Sequence, residues 1–252
     1  MKQSRGKRLG VILLIVFCLC GVLSVGILTK KIKINTLWAN QYPVQGIDVS
    51  HYQGDIDWKM IAEQGIDFAY IKATEGSSSI DEKFAVNWQA AAETKILIGA
   101  YHFFSFDSAG KTQAENFIGT VGALDGKLLP VVDVEYYGNK EQNPPDEEQV
   151  ITELTDMLLL LEQEYGVKPM IYTTYKVYYK YLEGEFEEYP LWIRDVYLTP
   201  DITLHEKWTL WQYSDTAILD GYSGVEKYID RNVFVGSEDE FRQLMICENI
   251  DL

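Results

Sequence analysis

The hydrophobic pattern changes character three times along the chain. Leu9–Leu28 is an unbroken run of twenty uncharged, mainly apolar residues, long enough to cross a bilayer as a helix. Asn35–Tyr42 then reads as a short polar linker. From Val44 onward, short apolar runs alternate with segments of helical period. Strands are expected at Val44–Val49, Phe68–Ala73, Ile96–Phe104, Leu128–Tyr136, Met170–Thr173, Leu191–Arg194, Trp208–Tyr213 and Lys227–Ile229. Helices are expected at Asp57–Gln64, around Glu82–Glu93, from about Ala109 to Gly122, and from Pro144-Pro145-Asp146 to Tyr165, stopped by Gly166. Beyond Thr173 the helical signal weakens.

Strand–helix alternation implies a parallel sheet, because parallel neighbours need crossover connections. Eight strands in roughly 205 residues fit an irregular TIM-like α/β barrel with fewer than eight helices, somewhat shorter than the usual ~250 residues. An open doubly wound sheet is the structural competitor.

Charge refines the reading of the N-terminus. Lys2, Arg5, Lys7 and Arg8 precede the apolar run, and Lys30, Lys31 and Lys33 follow it. No clear A-x-A cleavage site or lipobox is present, although Val22-Leu23-Ser24 offers a weaker cutting site. The expected organisation is a cytoplasmic basic tail (1–8), an uncleaved single-pass signal anchor in the lipid bilayer (9–28), a linker (29–43) and an extracellular barrel domain (44–252). Secretion after signal cleavage is the alternative.

Seven of the 22 basic residues lie before residue 34, where no acid occurs, leaving 15 against 38 acidic residues and a net of −23. So acidic a domain argues against nucleic acid or anionic lipid as the main partner. Cys18 and Cys20 fall inside the apolar run and Cys247 stands alone, so no disulfide framework is available. A monomer held by its core is expected.

The chemistry centres on Leu128-Leu129-Pro130-Val131-Val132-Asp133-Val134-Glu135-Tyr136. Residues i and i+2 of a strand share a face, about 6.6–6.8 Å apart. Asp133 and Glu135 therefore form a carboxylate pair at the end of a buried strand, which fits general acid chemistry. The other strand ends carry Asp48, Tyr101, His102, Tyr172, Trp192, Trp211, Gln212 and Asp230, with Glu75 just after the second strand. In a parallel barrel these ends share the rim that holds the chemistry. Phosphate loops, the G-x-S-x-G elbow and a placed nucleophilic cysteine are absent. His51, His102 and His205 are scattered. Asp48, Asp133, Glu135 and Asp230 could ligate Mg²⁺ or Ca²⁺, but acids interleaved with aromatics fit carbohydrate hydrolysis better. No metal and no cofactor are expected.

Gly46-Ile47-Asp48-Val49-Ser50-His51-Tyr52-Gln53-Gly54 resembles the opening motif of glycoside hydrolase family 25, the N-acetylmuramidase lysozymes. Ile71-Lys72-Ala73-Thr74-Glu75-Gly76, Ala100-Tyr101-His102-Phe103, Val132-Asp133-Val134-Glu135, Leu191-Trp192-Ile193, Leu210-Trp211-Gln212-Tyr213 and Ile229-Asp230-Arg231-Asn232 are similar to later motifs, in family order over about 44–236. The resemblance implies an irregular eight-stranded barrel that cuts the β-1,4 bond between N-acetylmuramic acid and N-acetylglucosamine in peptidoglycan glycan strands. It implies Glu135 as general acid and Asp133 as its assisting carboxylate, with Asp48 and Asp230 as supporting acids. Tyr101, Tyr172, Trp192 and Trp211, with Gln212, would line the sugar cleft. The chain departs from the pattern at Arg194-Asp195, where a small residue is expected. Two routes stay open, attack by the substrate's own 2-acetamido group held by Asp133, or inversion by carboxylate-activated water. A catalytically silent wall-binding module and a hydrolase of another N-acetylhexosamine polymer such as chitin are the competing functions.

Overall fold

The computed structural model describes residues 2–200 and 208–247; His205 and the last five residues of the expected catalytic domain lie outside them. Lys2–Leu28 forms one helix, with a mean hydropathy of 3.1 over Arg8–Leu28 and no packing of that stretch into the protein interior.

Among the described residues nine strands follow: β1 (Gln45–Val49), β2 (Phe68–Glu75), β3 (Ser79–Ile80), β4 (Leu97–Phe103), β5 (Val131–Val134), β6 (Met170–Thr174), β7 (Leu191–Arg194), β8 (Leu210–Ala217) and β9 (Ile229–Phe234). β1, β2, β4, β5, β6, β7 and β8 run parallel in that order, and β9 closes the barrel between β8 and β1. β3 is a two-residue arm paired to the end of β2 and adds nothing to the wall. The eight-stranded barrel expected from the alternating pattern is therefore present.

One strand departs from the all-parallel expectation. β9 pairs antiparallel with both neighbours and begins at Ile229, where the sequence pattern had placed a strand end. Asp230 thus stands near the start of its strand. Because that strand runs the other way, its start lies at the same rim as the C-terminal ends of the rest.

Local sequence explains the longest helix. Asp146 caps Glu147–Tyr165 by accepting from the Gln149 amide at 3.0 Å, with Glu147 and Glu148 in its first turn. Val150, Leu154, Met157, Leu158 and Leu161 recur every three or four residues and are buried. Gly166 ends the helix in the left-handed region at φ 69°, a conformation glycine adopts without a Cβ clash.

Alternation along each strand sorts side chains between two cores. Phe68, Tyr70, Val131, Met170, Tyr172 and Trp192 fill the barrel interior, while Ile47, Val49, Ile71, Ala100, Val132 and Val134 face the helical layer. Gly46 and Gly99 leave room inside for large rings: a Cβ on either would come within 2.3 Å of Phe68 or Tyr70 respectively.

The helical layer is incomplete. Among the described residues, the helices of nine residues or more after the N-terminal one are Phe84–Ala92, Gly110–Val121 and Glu147–Tyr165, all before β6. Over β7–β9 the wall is covered instead by the segment expected to be a linker. It forms a helix at Ile34–Ala39, and Ala39, Trp38 and Tyr42 pack on Ile193, Trp208, Trp211, Tyr213 and Val233. An exposed aromatic wall of this kind would be costly in water, so the segment docks and is no free tether.

Candidate active site

The rim encloses an open cleft of about 370 Å³. Asp48, Asp133, Glu135 and Asp230 all line it, together with Tyr101, Tyr172, Trp192 and Gln212. Eight of the nine residues singled out from the sequence are thereby brought together.

β5 explains the first pair. Val131 and Asp133 point inward and Glu135 continues their face one residue past the strand, while Val132 and Val134 face the helices. Asp133 is buried, and among the described residues its Oδ1 has no hydrogen-bond partner. Burial pushes the Asp133 carboxyl well above the usual carboxylate range, and the neighbouring Glu135 charge pushes it further. Burial raises Glu135 too, against the opposing charges of Arg194 and Lys72. Two desolvated carboxyls this close do not both ionise readily, so the pair tends to retain a proton.

Asp48 and Asp230 form the second pair, directly opposite each other in the β1–β9 register. Asp48 Oδ2 accepts from Asn232 Nδ2 at 2.8 Å and Gln212 Nε2 at 3.1 Å. These donors are themselves oriented: Trp192 Nε1 donates to Asn232 Oδ1 at 3.0 Å, and Tyr172 Oη donates to Gln212 Oε1 at 3.0 Å. Burial raises both acids, Asp230 well above its ordinary range, with the Asp48 charge as the next cause. Since the amide donors converge on Asp48, the negative charge rests there and Asp230 holds the proton.

Trp211 is not in the cleft. It faces outward, fully buried beneath the docked Trp38–Tyr42 segment, and its Nε1 donates to the Asp195 carbonyl at 2.7 Å. Gln212, its neighbour, takes the inward position that alternation allows only one of them. His102 also faces outward: Thr74 Oγ1 lies 2.7 Å from its Nδ1 and Gln113 Oε1 lies 3.1 Å from its Nε2. Burial lowers its pKa to about 4, so it is neutral and structural. Glu75 pairs with Lys72 at 2.7 Å and remains exposed.

Five residues gain importance beyond the sequence reading. Lys72 lines the cleft with its Nζ 4.8 Å from the Phe103 ring centre. Asn232 is fully buried behind Asp48. Asp215 lines the cleft and accepts from Arg194 Nη2 at 2.5 Å. Arg194 and Asp195, the departure from the expected motif, have separate tasks: Arg194 faces the rim acids, whereas Asp195 Oδ1 accepts from the Tyr197 and Leu198 amides at 2.9 and 2.8 Å and fixes the loop after β7. Lys72 was legible as a charge within an apolar strand. Asp215 was not, because a bulge between Gln212 and Ser214 shifts the facing of β8. Among the described residues, no three His, Cys, Asp or Glu side chains are grouped so as to hold a metal ion.

A closed strand–helix barrel carrying paired carboxylates above an aromatic floor at one rim defines a glycoside hydrolase. The chain belongs to glycosyl hydrolases family 25, whose sequence profile matches residues 47–222. It is similar in structure to a family 25 glycosyl hydrolase from Bacillus anthracis, with a TM-score of 0.76 and 48% identity over 81% of this chain and 94% of that one. A bacterial lysozyme from Streptomyces coelicolor superposes with a TM-score of 0.72 at 33% identity, covering 80% and 96% of the two chains. Lysozyme M1 of Streptomyces globisporus is 35% identical over 210 residues, 77% of this chain and 68% of its own.

Proposed function

We propose that the protein is a membrane-anchored extracellular lysozyme that hydrolyses the β-1,4 bond between N-acetylmuramic acid and N-acetylglucosamine in peptidoglycan. The observation that carries the reading is the buried Asp133–Glu135 carboxyl pair lining the same cleft as the Asp48–Asp230 pair. The part of the Asp133 carboxyl that faces the cleft is placed to accept from the N–H of a substrate 2-acetamido group. The relatives named as lysozymes support the substrate class.

In the resting cleft the Asp133–Glu135 pair keeps a proton. Donation from the acetamido N–H stabilises Asp133 as the anion, which leaves the proton to Glu135. Glu135 then gives it to the departing glycosidic oxygen as the acetamido oxygen attacks the anomeric carbon. Asp133 balances the positive charge that grows on the acetamido group. Water afterwards opens the cyclic intermediate, with Glu135 taking a proton back as general base. Asp48, ionised and fixed by Asn232 and Gln212, places negative charge near the oxocarbenium-like centre. Asp230 keeps Asp48 oriented by sharing its proton. Tyr101, Tyr172, Trp192 and Gln212 form the floor and wall against which the sugar rings pack. No cofactor is required, the partners are glycan strands and the bilayer and not nucleic acid, and the unit is a monomer.

The apolar helix over 9–28 is the anchor, with residues 1–8 cytoplasmic and the domain from residue 44 outside. In a bacterium expressing the whole chain, full-length protein should remain with the membranes and be trimmed by external protease. Mature protein in the medium beginning near residues 25–40 would instead show signal cleavage. Mass spectrometry of wall digests tests the bond: new reducing ends on N-acetylmuramic acid support the assignment. Ends on N-acetylglucosamine alone, or no new ends, reject it.

A further inference from the structure

The apolar helix and the cleft meet at one residue. The helix ends in a paired-bond cap: the Lys30 amide donates to the Ile27 carbonyl at 2.9 Å and the Lys31 amide to the Gly26 carbonyl at 2.9 Å. Lys30 occupies the left-handed position at φ 55°, the sole non-glycine residue with positive φ among the described residues. That conformation is disfavoured for a side chain bearing a Cβ. Here it aims the Lys30 ammonium at Asp215, and the two form an ion pair at the edge of the cleft.

From this point the chain runs down the outside of β8 to the base of the barrel. Lys33 Nζ donates to the Thr216 carbonyl at 2.9 Å, and the buried Asn35 side chain donates to the Tyr213 carbonyl. Tyr42 meets the Trp208 ring edge-on at 5.4 Å. Gln45, which opens β1, donates to the Ala39 and Tyr42 carbonyls at 3.1 and 3.0 Å. Ion pair, hydrogen bonds and aromatic packing thus fasten the segment along its length.

The route reverses what an undocked tether would do. A free segment over 29–43 would deliver the barrel by its base, where β1 begins, with the cleft on the far side from the membrane. The docked segment brings the chain in at the catalytic rim. At most about 7 Å of backbone separates Leu28 from Lys30, two residues at 3.3–3.6 Å each. A domain of net charge −23 beyond residue 33 cannot sink into hydrocarbon, so the rim at Lys30 is its nearest approach to the bilayer. Lys31 is exposed beside it and suits anionic headgroups.

We infer that the docked segment over residues 30–42 holds the cleft toward the membrane, at a fixed short height, and so directs the enzyme to glycan strands lying against the bilayer. The inference rests on the anchored-lysozyme reading and adds to it the place of the substrate. Wall layers farther out are reached only by strands that descend to the membrane surface.

Energy transfer tests the orientation without relying on catalysis. Full-length protein with Cys18, Cys20 and Cys247 replaced by serine is reconstituted in phosphatidylethanolamine–phosphatidylglycerol vesicles carrying a headgroup acceptor dye. A donor is placed at Ile80→Cys, on the exposed β3 arm of the rim, or at Lys95→Cys, exposed at the base before β4. Transfer should be at least about twofold more efficient from position 80, since the two sites differ in height by roughly a strand length of ~20 Å. Equal transfer, or stronger transfer from position 95, overturns the inference while leaving the anchor intact. Protein that fails to float with the vesicles overturns both.

A second arm reads the consequence. Twenty flexible Gly/Ser residues inserted between Leu28 and Thr29 break the helix cap and release the height, while leaving the contacts of Lys33, Asn35 and Tyr42 with the barrel. The ratio of hydrolysis of glycan polymerised on the same vesicles to that of suspended wall fragments should fall about tenfold, because a long tether lowers effective concentration. An unchanged ratio overturns the claim about substrate position. Loss of hydrolysis of both substrates by the parent protein overturns the lysozyme reading instead.

Discussion

Asp48 and Asp230 face each other as direct register partners across the antiparallel pairing of β1 with β9. Like charges placed opposite in a sheet repel, and burial has already raised both carboxyls. The fold tolerates the pair because one member holds a proton while Asn232 and Gln212 stabilise charge on the other. The barrel therefore closes through a buried carboxylate pair at the rim of the cleft.

Asp230→Asn tests that trade. The folded state holds a proton on Asp230 above the pH at which the unfolded chain releases it, so the folded state binds more protons than the unfolded state there. Stability from this group is complete below the ordinary carboxylate pKa of 3.8 and is lost as pH rises through the raised folded value. The amide removes that loss. At neutral pH the variant should be more stable by about 1 kcal/mol, raising Tm by about 2–4 °C, while at pH 3 the difference should vanish. Hydrolysis should fall by at least about tenfold, or ~1.4 kcal/mol of transition-state stabilisation. Calorimetry at the two pH values and a wall-clearing assay check both halves; a variant destabilised at neutral pH contradicts the proton assignment.

Glu135→Gln keeps the shape of the side chain and removes its proton. Binding of glycan should persist while turnover drops by on the order of 10²–10⁴. Asp133→Asn should lower turnover comparably, and should lose less on any substrate lacking the 2-acetamido group, because its proposed role acts through that group. Near wild-type turnover by folded Glu135→Gln protein would remove it from the mechanism.

Much of this was legible because periodicity and charge agree. Asp133 and Glu135 stand out as acids at alternate positions in a valine-rich strand, and Asp146 and Gly166 bracket an amphipathic helix. Facing was legible only as far as regular alternation holds. Trp211 and Gln212 are adjacent in one motif, yet a strand sends them to opposite sides, and the motif alone does not say which goes in. Asp215 stands three residues beyond Gln212, a spacing that should face the other way, and reaches the cleft through the β8 bulge. The direction of β9 escaped because the strand–helix pattern favours parallel neighbours and the helix-poor final third gives no contrary sign. The polar character of Asn35–Tyr42 concealed a docked segment, since Asn35 is buried by donating to a backbone carbonyl across the fold.

The two tryptophans separate support from catalysis. Trp192→Phe should preserve most of the barrel packing but leave Asn232 Oδ1 without its indole donor. Asp48 then loses an oriented partner, and kcat should fall about tenfold, ~1.4 kcal/mol. Trp211→Phe removes the bond to the Asp195 carbonyl and should cost about 1 kcal/mol of stability with kcat and KM near wild type. Equal effects of the two on kcat would refute the placement of Trp211 outside the cleft machinery.

Metal dependence provides a test that divides the two readings of the four acids. A divalent cation among Asp48, Asp133, Glu135 and Asp230 would favour the charged form of every carboxyl near it. Glu135 could then not donate the proton that the leaving oxygen needs. Without a cation, burial keeps the proton on the Asp133–Glu135 pair to a pH above the ordinary carboxylate range. Hydrolysis should accordingly survive exhaustive dialysis against EDTA. Its pH profile should hold a plateau above pH 4.5, the ordinary glutamate value, and then fall along an alkaline limb as the pair loses its proton. Asp133→Asn removes the neighbouring charge and should move that limb to lower pH in whatever activity remains. If chelation abolishes turnover and Mg²⁺ or Ca²⁺ restores it with the fold unchanged, the acids are ligands and the proton-donor mechanism is wrong.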